Sequence, residues 1–509
     1  MLATLISGER VRSGQELERR IKRAAAGIRA LGLGRGQTIA ILMRNDFPFI
    51  EISLAAERAG VTAVPMNWHA SVDELQYILE DSEARAIFAH ADLFERVRDR
   101  LPRACHAVVV EVPAELAASH RIPAEAQRAP EGLAEYEQWL VHSDEDVADP
   151  MPPAFRLLYT SGSTGKPKGV VRARGSEALT EQFARTGRLA HGLEIRPIRA
   201  VMTGPLYHSA PHTYAANCVR HGELLVLQPK FDAGELLDLI QRHRISHLHA
   251  VPTMFKRLLS LPEERKASFD PSSLRAVAHG SALCPVDIKR AMIEWWGPVF
   301  MEYYAATETG IITACTSEQW LAHPGSVGVP PGGVQLKIVA DSGEPLGPGE
   351  TGEIMVLSDV APLVSYRNQP EANSELKRGE WVTLGDIGYR DADGFLWICD
   401  RKKDMVISGG VNIFPAEVEE CLIAHPEVRD GIVFGIPDPD LGEAIAAVVE
   451  PRHPGAVGQE ELREHVRTRL GTLRTPKQIH LVEQLPREDS GKLARRKMRA
   501  AFLAAGPAE

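Results

Sequence analysis

The sequence predicts an α/β fold with a large N-terminal domain of α/β subdomains, a small β-rich subdomain and a compact α+β domain at the C-terminus. Over much of the chain before residue 325, capped amphipathic helices alternate with short apolar strands, which indicates parallel sheets covered by helices. Residues 325–397 instead hold short strands separated by turns. A charged, glycine-rich segment begins at Asp400 and marks a boundary. We therefore predict domains 1–401 and 402–509.

The first helices are predicted from capping residues and apolar spacing. Ser13-x-x-Glu16 forms a capping box before a run of apolar residues at helical spacing. These apolar residues are Leu17, Ile21, Ala25, Ile28 and Leu31. A strand over 37–43 follows a glycine-rich turn, and a second capping box, Ser71-x-x-Glu74, begins the helix before the strand 84–89.

One later segment of the N-terminal domain departs from the alternation of helices and strands. Residues 112–153 are rich in Ala, Pro and Glu, so we expect a surface excursion outside the core. The alternation resumes with the helix capped by Asp232-x-x-Glu235. His247 and His249 share one face of the strand that follows, but no third ligand has metal-site spacing, so packing is the preferred interpretation.

The C-terminal domain is predicted from two helices and two strands. Pro415 suits the first position of a helix over 416–424. Strands over 431–436 and 443–449 and a helix over 460–470 complete an α+β unit.

Composition excludes several classes of protein. A formal charge of -10 and a pI near 6.0 argue against a general nucleic-acid-binding protein. Six scattered cysteines without a C-x-x-C pair suit a reducing cytoplasm, so we predict a cytoplasmic protein. No apolar run approaches the roughly 18 residues of a membrane span, and no signal peptide is predicted. Homodimer formation stays open.

One loop has the residues of a phosphate-binding site. Residues 159–170 contain three glycines that allow close backbone approach, four serine and threonine hydroxyl groups that can donate hydrogen bonds to phosphate, and two lysines that add positive charge. The spacing differs from G-x-x-x-x-G-K-[ST], so the loop is not a mononucleotide P-loop. We predict that it binds nucleotide phosphate in another way.

Two further groups of residues suit a nucleotide. Residues 301–310 combine an aromatic pair that can stack on a purine with a threonine and a glutamate, and the carboxylate is a hard ligand for Mg²⁺. Asp386 and Arg401 are suited to hold ribose hydroxyls.

These segments resemble, in the same order, the core motifs of the adenylate-forming (ANL) superfamily, and especially its AMP-dependent acyl-CoA synthetases. The five motifs lie at 159–170, 303–310, 385–386, 400–410 and 486–492. The resemblance implies a mobile C-terminal domain and an AMP-forming carboxylic acid:CoA ligase that acts on a fatty or aromatic acid. It also implies Mg²⁺ as cofactor, with ATP and coenzyme A as co-substrates.

The resemblance implies a role for each matching residue. The catalytic residues it implies are Lys492, His208, Thr307 and Glu308, of which Glu308 also holds Mg²⁺. The ATP-binding residues it implies are Thr160, Ser161, Gly162, Ser163, Thr164, Gly165, Lys168, Gly280, Ser281, Ala282, Tyr303, Tyr304, Asp386 and Arg401. Lys403 matches the hinge, and Gly409 and Gly410 match the coenzyme A tunnel.

Alternatives remain for the acyl acceptor and for the carboxylic acid substrate. A stand-alone adenylation enzyme that loads a carrier protein is the nearest alternative, followed by a luciferase-like oxygenase. Retention of Lys492 opposes a non-catalytic nucleotide sensor. We expect His208 and His212 to make the acid pocket less apolar than a long alkyl chain requires. Whether the acid is aliphatic, aryl or steroid-like stays open.

Overall fold

The computed structural model of the protein describes residues 1–145, 148–160, 167–359, 363–486 and 495–505, apart from the side chains of residues 496 and 505. The helices are α1 (Gly14–Ala30), α2 (Phe47–Ala59), α3 (Val72–Asp81), α4 (Ala91–Phe94), α5 (Ala114–His120), α6 (Tyr136–Val141), α7 (Glu177–Ala190), α8 (Ser209–His221), α9 (Ala233–His243), α10 (Pro252–Leu259), α11 (Glu263–Ala267), α12 (Val286–Trp296), α13 (Ser317–Ala322), α14 (Pro370–Leu376), α15 (Pro415–Ile423), α16 (Gln459–Leu470) and α17 (Arg495–Ala505).

The strands are β1 (Thr4–Ser7), β2 (Arg10–Arg12), β3 (Thr38–Leu42), β4 (Thr62–Pro65), β5 (Ala86–His90), β6 (His106–Val110), β7 (Ala134–Glu135), β8 (Phe155–Thr160), β9 (Lys168–Ala173), β10 (Arg199–Met202), β11 (Leu224–Leu227), β12 (His247–Ala250), β13 (Ala276–His279), β14 (Phe300–Ala306), β15 (Gly310–Thr316), β16 (Val334–Val339), β17 (Gly352–Ser358), β18 (Val364–Tyr366), β19 (Lys377–Arg378), β20 (Trp381–Arg390), β21 (Leu396–Arg401), β22 (Val406–Ser408), β23 (Val411–Ile413), β24 (Val428–Asp438), β25 (Gly442–Pro451) and β26 (Gln478–Leu481).

Two largely parallel sheets organise the N-terminal domain. The first has the order β15-β14-β13-β12-β10-β11-β1-β2, in which only the edge strands β2 and β15 pair antiparallel with their neighbours. The second, β4-β3-β5-β6-β7, is parallel. Parallel neighbours need crossover connections, which place helices on the faces of the sheets. The α/β architecture is therefore confirmed.

Apolar cores fill the faces of these sheets. Every residue of β3, β5, β11, β12 and β13 is buried, as expected of strands covered on both faces. One core joins α1, α2 and α8 to both sheets. Another packs α9, α10 and α12 against the opposite face of the first sheet.

Smaller antiparallel sheets complete the N-terminal part. Strands β18-β9-β8 form one sheet, and β16-β17-β20-β19, with β21 beside β20, form another. The second confirms the predicted β-rich subdomain. Its β20–β21 pairing sets Asp386 opposite Arg401.

The C-terminal domain is an α+β unit. Its sheet has the order β23-β22-β25-β24, and β26 lies parallel to β25. Helices α15 and α16 pack on one face of the sheet and α17 on the other. The large and small domains are thus both observed, whereas the exact boundary at 401/402 stays a prediction.

The predicted caps are present to different degrees. Ser71 and Glu74 form both hydrogen bonds of a capping box. Ser13 accepts a hydrogen bond from the Glu16 amide, and Asp232 does the same for Glu235. Each predicted helix therefore begins where its capping residue indicated.

The surface excursion predicted for residues 112–153 is wrong in part. This segment contains α5, β7 and α6, and β7 extends the second sheet. Tyr136 is buried and donates a hydrogen bond of 2.8 Å to Glu51, while Arg20 pairs with Glu137. These long-range partners order a segment whose local pattern is weak.

Among the residues that the structure describes, no helix combines enough length and apolar character to cross a membrane.

Candidate active site

A large cleft lies where the parallel strands of the first sheet end. Its volume is about 1220 Å³. Its lining includes a residue one or two positions after each of four neighbouring strands: Gly204 after β10, Val251 after β12, Ser281 after β13 and Thr307 after β14. The carboxyl edge of a parallel sheet is the usual place for a ligand, because loops there converge from several strands.

The nucleotide side of the cleft, which we define by Tyr304, Glu308, Tyr366, Asp386 and Arg401, is already connected by polar contacts. The Tyr304 hydroxyl donates to Asp386 Oδ2 at 2.5 Å, and Arg401 Nε lies 3.2 Å from Asp386 Oδ1. Burial raises the pKa of the Asp386 carboxyl, although Arg401 and Tyr304 act in the opposite direction. Asp386 is thus held between a cation and a hydroxyl before any nucleotide binds.

Glu308 is held by a residue from a distant strand. The Tyr366 hydroxyl donates to Glu308 Oε1 at 2.8 Å, and Lys168 Nζ lies 5.0 Å from the centre of the Tyr366 ring. This contact joins β18 and β9 to the loop after β14. Thr160 and Thr307 also line the cleft. The structure therefore places Lys168 beside the tyrosine that contacts the carboxylate predicted to hold Mg²⁺, and Thr160 lines the same cleft.

Several predicted residues lie outside the described part of the chain. They are Ser161, Gly162, Ser163, Thr164, Gly165 and Lys492.

Of the three residues 280–282 predicted to frame adenine, two line the cleft and one packs behind its lining. Ser281 and Ala282 line the cleft, and Ser281 has a φ of 67°. Gly280 lies outside the described lining. A Cβ atom at Gly280 would lie 2.6 Å from the Tyr303 carbonyl oxygen and 2.9 Å from its ring, so glycine allows Tyr303 to pack closely.

Tyr303 contributes to a different region from Tyr304, because successive residues of a strand point to opposite faces. Its ring lies 4.8 Å from the ring of His191, and its hydroxyl shares a hydrogen bond of 2.7 Å with His249 Nε2. We define the inner pocket as the part of the cleft lined by Phe183, Gly187, His191, His249 and Tyr303. Tyr303, predicted for adenine, therefore borders this pocket.

The histidines of the inner pocket are neutral. Burial, with a smaller contribution from His249, lowers the pKa of His191 to about 3. Burial lowers the pKa of His249 to about 4. Such a pocket offers hydrogen-bonding groups without charge.

His208 lies at the edge of the cleft, at the start of α8. It occupies the N-cap position, and its ring centre is 4.4 Å from that of Tyr207. Ser209 and Ala210, the first residues of α8, also line the cleft. His212 does not belong to the described lining: its ring packs edge-on against Phe49 at 5.4 Å, so the expectation that it enters the acid pocket is wrong.

The junction with the C-terminal domain contains an ionic cluster that sequence analysis missed. Arg495 lies 2.8 and 2.9 Å from the two carboxylate oxygens of Glu419, and 3.4 Å from both Asp400 and Asp404. Asp400 Oδ2 also accepts a hydrogen bond from the Ala416 amide. Asp400 therefore ties the last strand of the β-rich subdomain to α15 and α17.

The predicted hinge and tunnel residues are placed differently. Lys403 lines the cleft. Gly409 and Gly410 lie at the turn between β22 and β23 with φ values of 57° and 81°, outside the described lining of the cleft. Those φ values suit glycine.

Three residues received no individual role from sequence. Tyr366 belongs to no motif and reaches Glu308 only through folding. Asp400 begins the predicted motif 400–410, but its contacts with α15 and α17 were not predicted. His191 is a lone histidine after a helix and has no local signal.

Comparison with known proteins gives the family. The sequence model of the AMP-binding enzymes matches residues 3–360, and that of the AMP-binding enzyme C-terminal domain matches residues 417–492. The chain is 34% identical over 497 residues to a feruloyl-CoA synthase of Amycolatopsis sp, covering 96% of this chain and 93% of the relative. It is 31% identical over 495 residues to the 2-succinylbenzoate–CoA ligase of Bacillus licheniformis, covering 97% and 96%.

A solved structure agrees with these sequence matches. The o-succinylbenzoate CoA synthetase of Bacillus subtilis, in complex with its acyl-adenylate intermediate, superimposes with a TM-score of 0.80 at 28% identity, covering 98% of this chain and 95% of that one. The predicted resemblance is confirmed: the chain belongs to the family of AMP-binding enzymes, within the adenylate-forming superfamily.

Proposed function

We propose that this AMP-forming acid:CoA ligase activates a compact aromatic carboxylic acid. The ligase class is shared with several relatives, but their names span feruloyl, sulfoacetate and medium- or long-chain fatty acyl substrates. The geometry of the inner pocket carries the choice of acid. Tyr303, 3% exposed, contacts both His191 and His249 in its lining. A lining of aromatic and imidazole rings favours a flat ring over a long alkyl chain.

The reaction has two steps that use one cleft. In the first, an oxygen of the acid carboxylate attacks the α-phosphorus of ATP, the bond to the bridging oxygen breaks, and pyrophosphate leaves with that electron pair. In the second, the coenzyme A thiol loses its proton and attacks the acyl carbon, and AMP leaves. The protein must first hold charged groups together and then admit a thiol.

The nucleotide side supports ATP binding by its existing contacts. We assign ribose to Asp386 and Arg401, because a carboxylate and a guanidinium complement vicinal hydroxyl groups. We assign the adenine to Tyr304 with Ser281 and Ala282. Each of these groups lines the same cleft.

The phosphates are assigned to the loop that Thr160 and Lys168 border. Glu308 and Thr307 offer hard oxygen donors of the kind that Mg²⁺ prefers, and Tyr366 occupies only one oxygen of Glu308 among the described contacts. These residues would hold Mg²⁺, which would offset the negative charge of the phosphates.

The acid carboxylate is assigned to the region of His208. The start of α8 faces the cleft here, and the N-terminus of a helix favours a negative charge. We assign Lys492 to the negative charge that develops at the α-phosphorus. Lys492→Ala should reduce acid-dependent exchange of pyrophosphate into ATP by about 100-fold or more, while thioester formation from supplied acyl adenylate continues.

The second step is assigned to a rearrangement of the C-terminal domain. Lys403 would act as its hinge, and the turn at Gly409 and Gly410 would leave room for the pantetheine arm. Lys403→Pro should slow thioester formation more than pyrophosphate exchange. Equal loss in both assays would remove the hinge assignment.

An acid panel tests the proposed substrate class. Purified protein is incubated with MgATP, coenzyme A and single acids, and AMP release is measured with and without coenzyme A. Benzoic, phenylacetic and cinnamic acids and their ring-substituted forms are compared with C4 to C16 fatty acids. We expect the highest kcat/KM with a single-ring acid; a maximum at C12 to C16 would overturn the proposal.

A further inference from the structure

The inner pocket contains a buried histidine whose polar atoms are not used by the protein. His191 directly follows α7 and is 3% exposed. Within the described residues, neither of its ring nitrogens has a hydrogen-bond partner. Buried polar groups are normally paired, and leaving one unpaired destabilises the fold. His191 lines the cleft, but its ring nitrogens are covered, so a bound molecule reaches them by displacing a neighbouring side chain.

Two ring neighbours of His191 are committed to each other, whereas the hydroxyl of the third, Tyr214 at 5.5 Å, is itself unpaired among the described residues. His249 and Tyr303 share their hydrogen bond of 2.7 Å with each other. The ring centre of His191 is 4.8 Å from that of Tyr303 and 6.0 Å from that of His249, and both pairs are edge-on. The cluster therefore fixes the orientation of the His191 ring without using its nitrogens.

Space for a flat ring lies beside His191. Phe183, Gly187 and His191 follow at intervals of one helical turn, so they form one stripe that faces the cleft. A Cβ atom at Gly187 would meet no atom within 4 Å. Glycine weakens a helix interior, so its presence here gives up helix stability and leaves an open slot between two aromatic rings.

The charge of the side chains around the slot indicates which ligand group binds there. Burial lowers the pKa of His191 to about 3, so the ring is neutral and offers one donor and one acceptor. Arg172, a cation from β9, lies 4.1 Å from the centre of the Phe183 ring, and Phe183 is eight residues before His191 in the chain. A neutral hydroxyl group, itself a donor and an acceptor, complements His191 better than a charged group.

Resting on the proposed function, we infer that the acid carries a hydroxyl group on its aromatic ring. The ring lies over Gly187 between Phe183 and His191, and the hydroxyl forms a hydrogen bond with His191. The residue thereby selects hydroxylated aromatic acids over the same acids without the hydroxyl.

The test compares paired acids on the same enzyme. The pairs are 4-hydroxycinnamic with cinnamic acid and 4-hydroxyphenylacetic with phenylacetic acid, assayed by AMP release. In the wild type, kcat/KM should favour the hydroxylated member of at least one pair by about tenfold or more. In His191→Phe, which keeps an aromatic ring, that ratio should fall to about one. His191→Gln, which keeps a donor and an acceptor, should restore part of it.

A substitution at Gly187 tests the slot independently. Gly187→Ala should maintain or raise the midpoint of thermal unfolding, because alanine is the better helix former. It should nevertheless lower kcat/KM for aromatic acids by about tenfold and spare butyric acid, because the added methyl group fills the slot. An unchanged kcat/KM for aromatic acids would overturn the placement of the ring.

The outcomes separate this inference from the proposed function. If aromatic acids are turned over but the hydroxyl ratio is the same in wild type and His191→Phe, the role of His191 is wrong and the aromatic class stands. If no aromatic acid releases AMP, the proposed class is wrong and this inference fails with it. A preference for a 4-carboxylate analogue that Arg172→Gln abolishes, and His191→Phe does not, would assign the selection to Arg172 instead.

Discussion

The nucleotide side and the inner pocket share one cleft but differ in how their polar groups are used. On the nucleotide side, Asp386 contacts both Tyr304 and Arg401, and Glu308 accepts from Tyr366. In the inner pocket, His191 keeps both ring nitrogens unpaired within the described residues. The nucleotide side therefore has a connected network of polar contacts, whereas the inner pocket has a histidine whose nitrogens are unpaired among the described residues.

The difference follows from what each region must recognise. A nucleotide brings several charges, and pre-oriented groups limit the reorganisation that binding requires. Charged groups that are partly buried need partners of opposite charge, which Asp386 and Arg401 provide for each other. The aromatic acid proposed for the inner pocket presents a neutral ring, which neutral histidines and aromatic side chains complement. Substitutions in the two regions should therefore affect different substrates.

The largest effect is expected at Glu308. Glu308→Gln removes a charged oxygen ligand from the proposed Mg²⁺ site, so acid-dependent pyrophosphate exchange should fall by about 100-fold or more. The exchange rate is measured over a range of Mg²⁺ concentrations. Glu371→Gln, on the exposed face of α14, is the matched control and should stay within about twofold. Equal rates for Glu308→Gln and the control would contradict the assignment.

A smaller effect, confined to ATP, is expected at Asp386. Asp386→Asn removes the charge that holds Arg401, so the KM for ATP should rise about tenfold or more while the KM for the acid changes little. Asp393→Asn, in the exposed turn of the same hairpin, is the control. A rise in the acid KM of the same size would show that the two regions are not separate.

Much of the fold was predictable because its signals are local. Ser71-x-x-Glu74 fixes the start of α3 with both hydrogen bonds of a capping box, whatever lies elsewhere in the chain. The segment 112–153 was mispredicted because its order depends on distant partners. Tyr136 is held by Glu51, 85 residues away, and no periodicity within the segment reports that contact.

The nucleotide side was predictable for a related reason. Apart from Tyr366, its residues lie in short sequence motifs, and one loop can carry several of these groups, as with Thr307 and Glu308. The inner pocket is assembled from α7, β12 and β14 instead. His249 and Tyr303 are 54 residues apart on two strands, and His191 directly follows α7. Only the fold brings these three together.

Two adjacent tyrosines offer the most direct comparison of the regions. Tyr303→Phe removes the hydroxyl that bonds His249, so the KM for the preferred acid should rise about threefold to tenfold with the KM for ATP unchanged. Tyr304→Phe removes the hydroxyl that bonds Asp386 and should have the opposite selectivity. Both constants are measured for both variants. The same pattern in both variants would refute the division of the cleft at this strand.

The smallest effect concerns the pH dependence of stability. His191 has an ordinary pKa near 6.5 when unfolded and a pKa of about 3 when folded, so between these values the unfolded chain binds the extra proton. Stability is then lost as the pH falls below about 6.5. His191→Phe should recover about 1 kcal/mol of the loss between pH 7.5 and pH 5.5, measured by urea unfolding.

The nucleotide side should respond to acid in the opposite sense. The folded pKa of Asp386 is raised chiefly by burial, so the folded state binds a proton more readily than the unfolded state, and acid relieves a destabilisation. Asp386→Asn should therefore leave the loss of stability between pH 7.5 and pH 5.5 at least as large as in the wild type. A recovery like that of His191→Phe would mean that the acid sensitivity does not arise from the neutral histidines of the inner pocket.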